Sequence, residues 1–338
     1  MTLRILGRSG RRRLAALAVA AATALALTAC GGSDGDSDSA AAPTGPVDLS
    51  AVTLKVGDQK ATSIEVLLQA SGQLENLPYK LEFSTFTAGL PLIEAASAGG
   101  IDLAQTGNTP VIFGAASKAD IKIVGALEAT GKGDAILVGK DSTIGSVADL
   151  KGKKVATFKG SSAHANLLMQ LQKAGLDRTD IETVFVSPAD GYTSLTKGDV
   201  DAWATWDPYT AIAEKESGAR VIATADEAAN GYNFWAASDQ ALADPSRTAA
   251  IEDFLTRYAA ATAWSEQNLD EWSAKYAELT SISPDASRTT WTRSIKQPIT
   301  LSDDVIASEQ EIADAFTEAG ELPGKVDFAA AVDKRFDS

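Results

Sequence analysis

Four short stretches of this 338-residue chain set small and polar residues where a strand gives way to a helix. They are Gln59 with Lys60; Thr106-Gly107-Asn108-Thr109-Pro110; Lys159-Gly160-Ser161-Ser162-Ala163-His164; and Trp206-Asp207-Pro208-Tyr209. The first turn of a helix leaves backbone N–H groups without an intrahelical acceptor, and the helix dipole puts partial positive charge there. Such a start favours an anion. Each stretch also has a plainer reading. Ser161 or Ser162 can cap a helix, worth about 1 kcal/mol, as can Thr109 with Pro110 at the first helical position and Asp207 before Pro208. His164, the only histidine, suits a polar packing role in the first turn of its helix. Trp203 and Trp206 fall on opposite faces of a strand, so at least one belongs to the core. Four junctions of one kind, taken together, point to a binding site.

Catalysis finds less support. The chain has one histidine and one cysteine, and it contains no P-loop, GxGxxG or HExxH pattern. No spacing of Lys, Asp or Glu singles out an acid–base pair. No metal site and no cofactor is expected.

The elements that must carry these junctions alternate from Val52 onward. "VTLKVG", "KLEFSTF" and "IDLAQTG" read as strands, each followed by a helical run: about Ser63 to Leu74, then "GLPLIEAASAG", then "TPVIFGAASKA". "IKIVGAL" and "DAILVG" continue the series. A second set begins near Lys140, with strands "KKVATF", "IETVFVS", "DAWATW" and "ARVIATA" separated by helical segments. Strands alternating with helices predict α/β sheets covered on both faces. After Pro245 the pattern turns helical. Ile251, Phe254, Leu255, Tyr258 and Ala259 form one stripe, Ser302 caps a further helix, and "DFAAAVDKRF" reads as a last short one. This tail, with no further strand, is expected to wrap over the first lobe.

The N-terminal 29 residues read as a signal peptide: Arg4, Arg8 and Arg11–Arg13, then the apolar run from Leu14 to Ala26. "LTAC" looks like a lipobox, with Cys30, the only cysteine, as the lipidated residue. Residues 30–50 are small, acidic and rich in Pro and Gly, a flexible tether. The leader's ionisable side chains are five arginines, so its removal takes the formal charge from −15 to −20. Such an acidic chain repels nucleic acid and offers no polybasic patch for a membrane surface, leaving the lipid on Cys30 as the attachment.

On the stretches "AGLPLIEAASAGGIDLAQTGNTPVIFGAAS", "KGSSAH", "VDAWATWDPYTA" and "QPITLSDDVIASEQEIADAFTEAG", the sequence resembles the solute-binding lipoproteins of ABC importers for aliphatic sulfonates, taurine and nitrate-like ligands. "KGSSAH" and "WDPY" resemble the sulfonate branch in particular. The resemblance, which runs from about Val52 to Phe336, implies a two-lobed type II periplasmic-binding-protein fold with a two-strand hinge and a helical C-terminal tail. Residues 51–135 and 236–338 would form lobe 1 and residues 136–235 lobe 2, with crossings near Asp134–Gly139 and Tyr232–Ser238. It also implies ligand contacts from Gln59, Thr106, Gly107, Asn108, Thr109, Gly160, Ser161, Ser162, Trp206 and Asp207. The family often has Asp-Ala-Pro where this chain has Asn108-Thr109-Pro110, which alters the polar read-out there. The expected protein is a lipid-anchored extracytoplasmic monomer that hands an alkanesulfonate-like anion to an ABC permease. Taurine and nitrate-like ligands are alternatives, as is an enzyme on this fold related to thiamin-precursor synthesis. Those enzymes use a cysteine-rich stretch, and no cysteine follows Cys30.

Overall fold

A computed structural model describes residues 47–59 and 63–336 of the protein. The leader, Cys30, the tether as far as residue 46, and Lys60 lie outside the described residues.

The chain opens by alternating β1 (Thr53–Gln59), α1 (Ile64–Ala70), β2 (Lys80–Phe86), α2 (Gly89–Ser97), β3 (Leu103–Gly107), α3 (Asn108–Ser117) and β4 (Ile121–Glu128). It then crosses through residues 129–134 into a second sheet. That sheet is built from β5 (Ala135–Val138), β6 (Lys154–Thr157), α4 (Ser162–Lys173), β7 (Glu182–Phe185), α5 (Pro188–Lys197), β8 (Ala202–Thr205), α6 (Tyr209–Ile212) and β9 (Arg220–Thr224). The return runs through 225–231 into β10 (Tyr232–Ser238). After it come α7 (Asp239–Leu242), α8 (Pro245–Gln267), α9 (Leu269–Thr280), α10 (Pro284–Ser294), β11 (Gln297–Ile299) and α11 (Asp303–Glu318).

The first sheet has strand order β11-β4-β10-β3-β1-β2 and the second β7-β6-β8-β5-β9. β10 runs antiparallel between β3 and β4, and β5 antiparallel between β8 and β9. Strand alternation shows in β10. Phe234 joins Leu92, Ile112 and Phe316 on one face, and its neighbour Trp235 joins Leu54, Phe254 and Trp272 on the other. Helices cover both faces of each sheet, so short strands such as Ala135–Val138 are buried throughout and show no polar alternation.

The two passages lie side by side. The Ala129 N–H donates to the Gly231 carbonyl at 3.0 Å, and a Cβ on Gly231 would fall 2.1 Å from the Ala129 oxygen. Only glycine fits this approach.

The structure changes several sequence expectations. The passages are 129–134 and 225–231, upstream of the segments anticipated as crossings: Ala135–Val138 is an inner strand of the second sheet and Tyr232–Ser238 an inner strand of the first. The tail is not strand-free, because Gln297–Ile299 pairs antiparallel with Ala126–Glu128. Three residues are too few to show a period, which hid this strand. The final segment forms two 3-10 turns, Ala329–Ala331 and Lys334–Phe336, with a bridge from Val332 to Ile123 between them. Pairing to β4 takes the place of a continuous helix there. The first helical run stops at Ala70.

Candidate functional site

Between the two sheets, where the ends of β1, β3 and β8 face both passages, lies a cavity of about 80 Å³. Three helices point their first residues at it. Gly89 opens α2. Gly107 is the N-cap of α3, and Pro110 follows in its first turn. Ser161 caps α4, which Ser162 begins. The α3 and α4 starts meet across the two sheets: a Cβ on Gly107 would sit 3.2 Å from Ser162 Cβ. Gly89 is held closer still, since a Cβ there would fall 1.8 Å from Thr106 Oγ1. That Thr106 hydroxyl is buried and has no hydrogen-bond partner among the described residues.

Of the residues anticipated from the sequence, Gln59, Thr106, Gly107, Ser161, Ser162, Trp206 and Asp207 line the cavity. Asn108, Thr109 and Gly160 do not. Asn108 Oδ1 accepts from the Thr109 N–H at 2.6 Å and from its hydroxyl at 2.9 Å, and Asn108 Nδ2 donates to Asn230 Oδ1 at 2.9 Å. Thr109 is therefore inside the helix, not its cap: Asn108 supplies the acceptor one residue earlier. Gly160 adopts φ of 69° and faces Leu90 and Phe113, and its N–H donates to His164 Nδ1 at 3.3 Å. The Ser161 hydroxyl donates to the Phe158 carbonyl and accepts from the His164 N–H, so it serves the turn and the cap.

His164 is a packing residue. Its ring stands edge-on to Phe185 and Phe316, and burial, with Lys159 and Arg178 adding to it, pushes its pKa down to about 4. The two tryptophans divide as strand alternation requires. Trp203 is buried against Gly191, while Trp206 walls the cavity and stands edge-on to Phe158 and Tyr209.

Asp207 is not the helix cap that Asp before Pro suggests. Pro208 occupies that position, the Asp207–Pro208 peptide is cis, and α6 starts at Tyr209. The carboxylate instead takes a two-pronged contact from Arg293, Nε to Oδ2 at 2.7 Å and Nη2 to Oδ1 at 2.9 Å. The Ser294 hydroxyl donates at 2.8 Å and the Ala211 N–H at 3.1 Å. Arg293 Nη2 also reaches Glu214 at 2.8 Å. Burial pushes the Asp207 carboxyl up, and four donors, two of them on a guanidinium, oppose that shift.

Sequence reasoning missed the charged half of the site. Arg293, Ser294 and Lys296 reach the cavity from the α10–β11 turn, and Asp134 from the first passage. Burial lowers the Lys296 ammonium, against the attraction of Asp134, Asp207 and Asp58. Among the described residues it makes no ion pair at 4.0 Å or less. Burial raises the Asp134 carboxyl to about 7, with the Ser162 hydroxyl and Lys296 opposing and Asp207 reinforcing. The sequence signal for this half is slight: two cations in "TRSIKQP", at the foot of a helix in an acidic chain.

Helix starts, with an ammonium and a hydroxyl that have no partner among the described residues, suit a small anion, and the indole of Trp206 suits an apolar tail beside it. Among the described residues no cluster of His, Cys, Asp and Glu could hold a metal ion, and no helix is long and apolar enough to cross a membrane.

Comparison with known proteins agrees with this chemistry. Residues 84–270, more than half of the chain, match the family described as NMT1/THI5 like. A protein of Escherichia coli (strain K12) named for binding aliphatic sulfonates is 36% identical over 280 residues, covering 81% of this chain and 86% of that one. The alkanesulfonate-binding protein SsuA from Xanthomonas axonopodis pv. citri, solved bound to MOPS, superposes with a TM-score of 0.76 at 33% identity, covering 84% of this chain and 99% of that one. The periplasmic aliphatic sulphonate binding protein SsuA from Escherichia coli gives 0.75 at 33% identity, with 83% and 92% covered. These two carry the periplasmic-binding-protein fold, and the present chain shares it. By its matched length and by the identity of its relatives, this chain belongs to the NMT1/THI5-like family.

Proposed function

We propose that the protein is the extracytoplasmic solute-binding component of an ABC importer, and that it binds an alkanesulfonate in the cavity between its two sheets. One observation carries the reading: the starts of α3 and α4 meet at Gly107 and Ser162, next to an ammonium, Lys296, that has no ion pair among the described residues. Helix-start N–H groups from both sheets and one cation can surround the sulfonate oxygens, while the alkyl chain lies against Trp206. Asp207 is committed to Arg293 and is therefore unavailable to a ligand ammonium group, which favours simple alkanesulfonates over taurine. Relatives at 36% and 33% identity named for sulfonates support this choice of ligand.

The elements of the first sheet, Thr53–Glu128 with those from Tyr232 onward, act as one lobe and those of the second, Ala135–Thr224, as the other, closing on the ligand because contacts from both exist together only when closed. A permease in the membrane reads that closed form. The protein acts as a monomer, held to the membrane by lipid on Cys30.

Calorimetric titration with ethanesulfonate, against sulfate, nitrate and taurine at the same concentrations, tests the ligand. Saturable 1:1 binding strongest for the alkanesulfonate is expected; equal or absent binding of it would end the reading. Small-angle scattering should give a smaller radius of gyration with ligand. Cys30→Ser should leave the protein unprocessed or released from the membrane fraction.

A further inference from the structure

Behind the cavity wall runs a chain of polar side chains. Gly107, at the start of α3, and Gly231, at the end of the second passage, both line the cavity. Their neighbours Asn108 and Asn230 do not, and they meet instead: Asn108 Nδ2 donates to Asn230 Oδ1 at 2.9 Å. Asn230 Nδ2 donates in turn to Ser308 Oγ at 2.9 Å and to Glu309 Oε1 at 2.8 Å, both on α11. Resting on the alkanesulfonate reading above, we propose that Asn230 is a positioning residue for the ligand. Without touching the anion, it holds the start of α3 against the second passage, and Glu309 fixes the direction in which its amide points.

The backbone sets the direction of each amide. Asn108 Oδ1 accepts from the Thr109 N–H at 2.6 Å, so its nitrogen faces Asn230. Asn230 Oδ1 also accepts from the Tyr232 N–H at 3.1 Å, so its nitrogen faces α11. A backbone N–H only donates, and neither amide can turn over without setting donor against donor. The far end of the chain must therefore be an acceptor, and Glu309 supplies it. Glu309 is fully buried, and its Oε2 has no hydrogen-bond partner among the described residues. Burying such a group costs stability, and its bonded oxygen serves Asn230. The place matters because the sheet stops holding there. β3 and β10 pair as far as Gly107 and Asn233. At that point β3 becomes α3, and before Tyr232 the other strand is still passage. The Asn108–Asn230 bond carries the connection past the last pair of the ladder. On its other side the passage is held by the Ala129 N–H, which donates to the Gly231 carbonyl. The backbone at Gly107 and Gly231 thus faces the cavity between two fixed points. Hydrogen bonds weaken steeply with misalignment, so a loosened α3 start holds an anion less well.

The test is calorimetric titration of the mature protein with ethanesulfonate, beside thermal unfolding of each unliganded variant. Asn230→Ala and Asn108→Ala should each raise Kd about tenfold, and the double variant should be no weaker than the weaker single one, because both changes remove the same bond. Asn230→Asp keeps an acceptor for Asn108 but loses the donor to Glu309, so it should weaken binding too. Adding Glu309→Gln gives α11 a donor for the new carboxylate and should return Kd close to the wild-type value. A merely structural role would not give this rescue of affinity. A lowered thermal midpoint with Kd unchanged makes Asn230 structural only and overturns the inference. A double alanine variant weaker by about a hundredfold shows two separate actions and overturns it as well. If an alanine variant does not fold, Asn230→Asp decides: no loss of affinity, or a loss that Glu309→Gln does not recover, overturns the inference. Wild-type binding with unaffected variants removes the inference and leaves the sulfonate reading intact. No binding of ethanesulfonate by the wild type removes that reading, and the inference with it.

Discussion

Two aspartates in one cavity have opposite surroundings. Asp207 is gripped by Arg293, Ser294 and a backbone N–H, whereas Asp134 has one hydroxyl and the distant Lys296. Asp134 ends the first passage and Asp207 follows β8, and each stands near a cation from the end of α10 or the turn after it. The difference is geometry. Arginine's planar fork matches a carboxylate with two parallel bonds, and a lysine ammonium beyond ion-pair distance does not. The first pair fastens the tail helix α10 to the second sheet. The second keeps charge available to a ligand.

The most severe way to break this contrast is Arg293→Met. It leaves Asp207 buried and without a cation, at a cost of about 3–5 kcal/mol in chemical denaturation. Adding Asp207→Asn should recover part of that loss, whereas full additivity of the two changes would show that they do not act as a pair. Lys296→Met comes next and should act on the ligand: affinity for ethanesulfonate falls about 10- to 100-fold, roughly 1.5–3 kcal/mol, as expected for a charged hydrogen-bond partner. Its unliganded stability should stay close to wild type, because no ion pair is broken. A large loss of stability with intact binding would reverse the roles given to the two pairs.

pH separates the pairs more gently. Asp134 shares its behaviour with Glu309 of α11, which burial raises to about 8 although Asn230 donates to it at 2.8 Å. A carboxyl whose pKa is higher in the folded state binds more protons folded than unfolded. Its stabilisation is complete below the unfolded pKa and is lost as pH rises through the folded one. Stability of the unliganded protein should therefore fall between about pH 5 and 8, by up to ~1.4 kcal/mol per pH unit for such a group. Glu309→Gln should flatten the thermal midpoint over that range; an unchanged slope would place the titration elsewhere. The smallest effect is expected from Ser161→Ala, about 1 kcal/mol of stability through the lost cap. It should leave the affinity near that of wild type, because the hydroxyl bonds Phe158 and His164.

Much of this fold was legible in the chain. "KLEFSTF" is strand β2 over the expected residues Lys80–Phe86, Ser302 caps its helix as expected, and of the two candidates Ser161 and Ser162 it is Ser161 that caps α4. Local rules decide these features: a period of two or 3.6, and a side-chain oxygen next to a free N–H. The same rules brought out Gln59, Thr106, Gly107, Ser162 and Trp206, which line the cavity because strand ends and helix starts of an α/β sheet fall on one edge. They also misassigned Thr109 as a cap and placed Asp207 at the N-cap itself, where Pro208 stands; Asp207 accepts from the Ala211 N–H of α6, but Arg293 and Ser294 share its oxygens, and capping propensity is blind to such partners.

The sequence by itself determined the alternation of strands and helices, the edge on which small polar junctions gather, and the preference of that edge for an anion. Those follow from contacts within a few residues. Only the tertiary structure decided which charges stand there. Arg293 meets Asp207 across 86 positions of chain, and Asp134 and Lys296 come to one cavity only because α10 folds back over the second sheet and β11 pairs with β4. No periodicity or spacing encodes that return. It is set by burial of Trp272, Tyr276 and Trp291 against the first sheet's helices, and so by packing over the whole molecule.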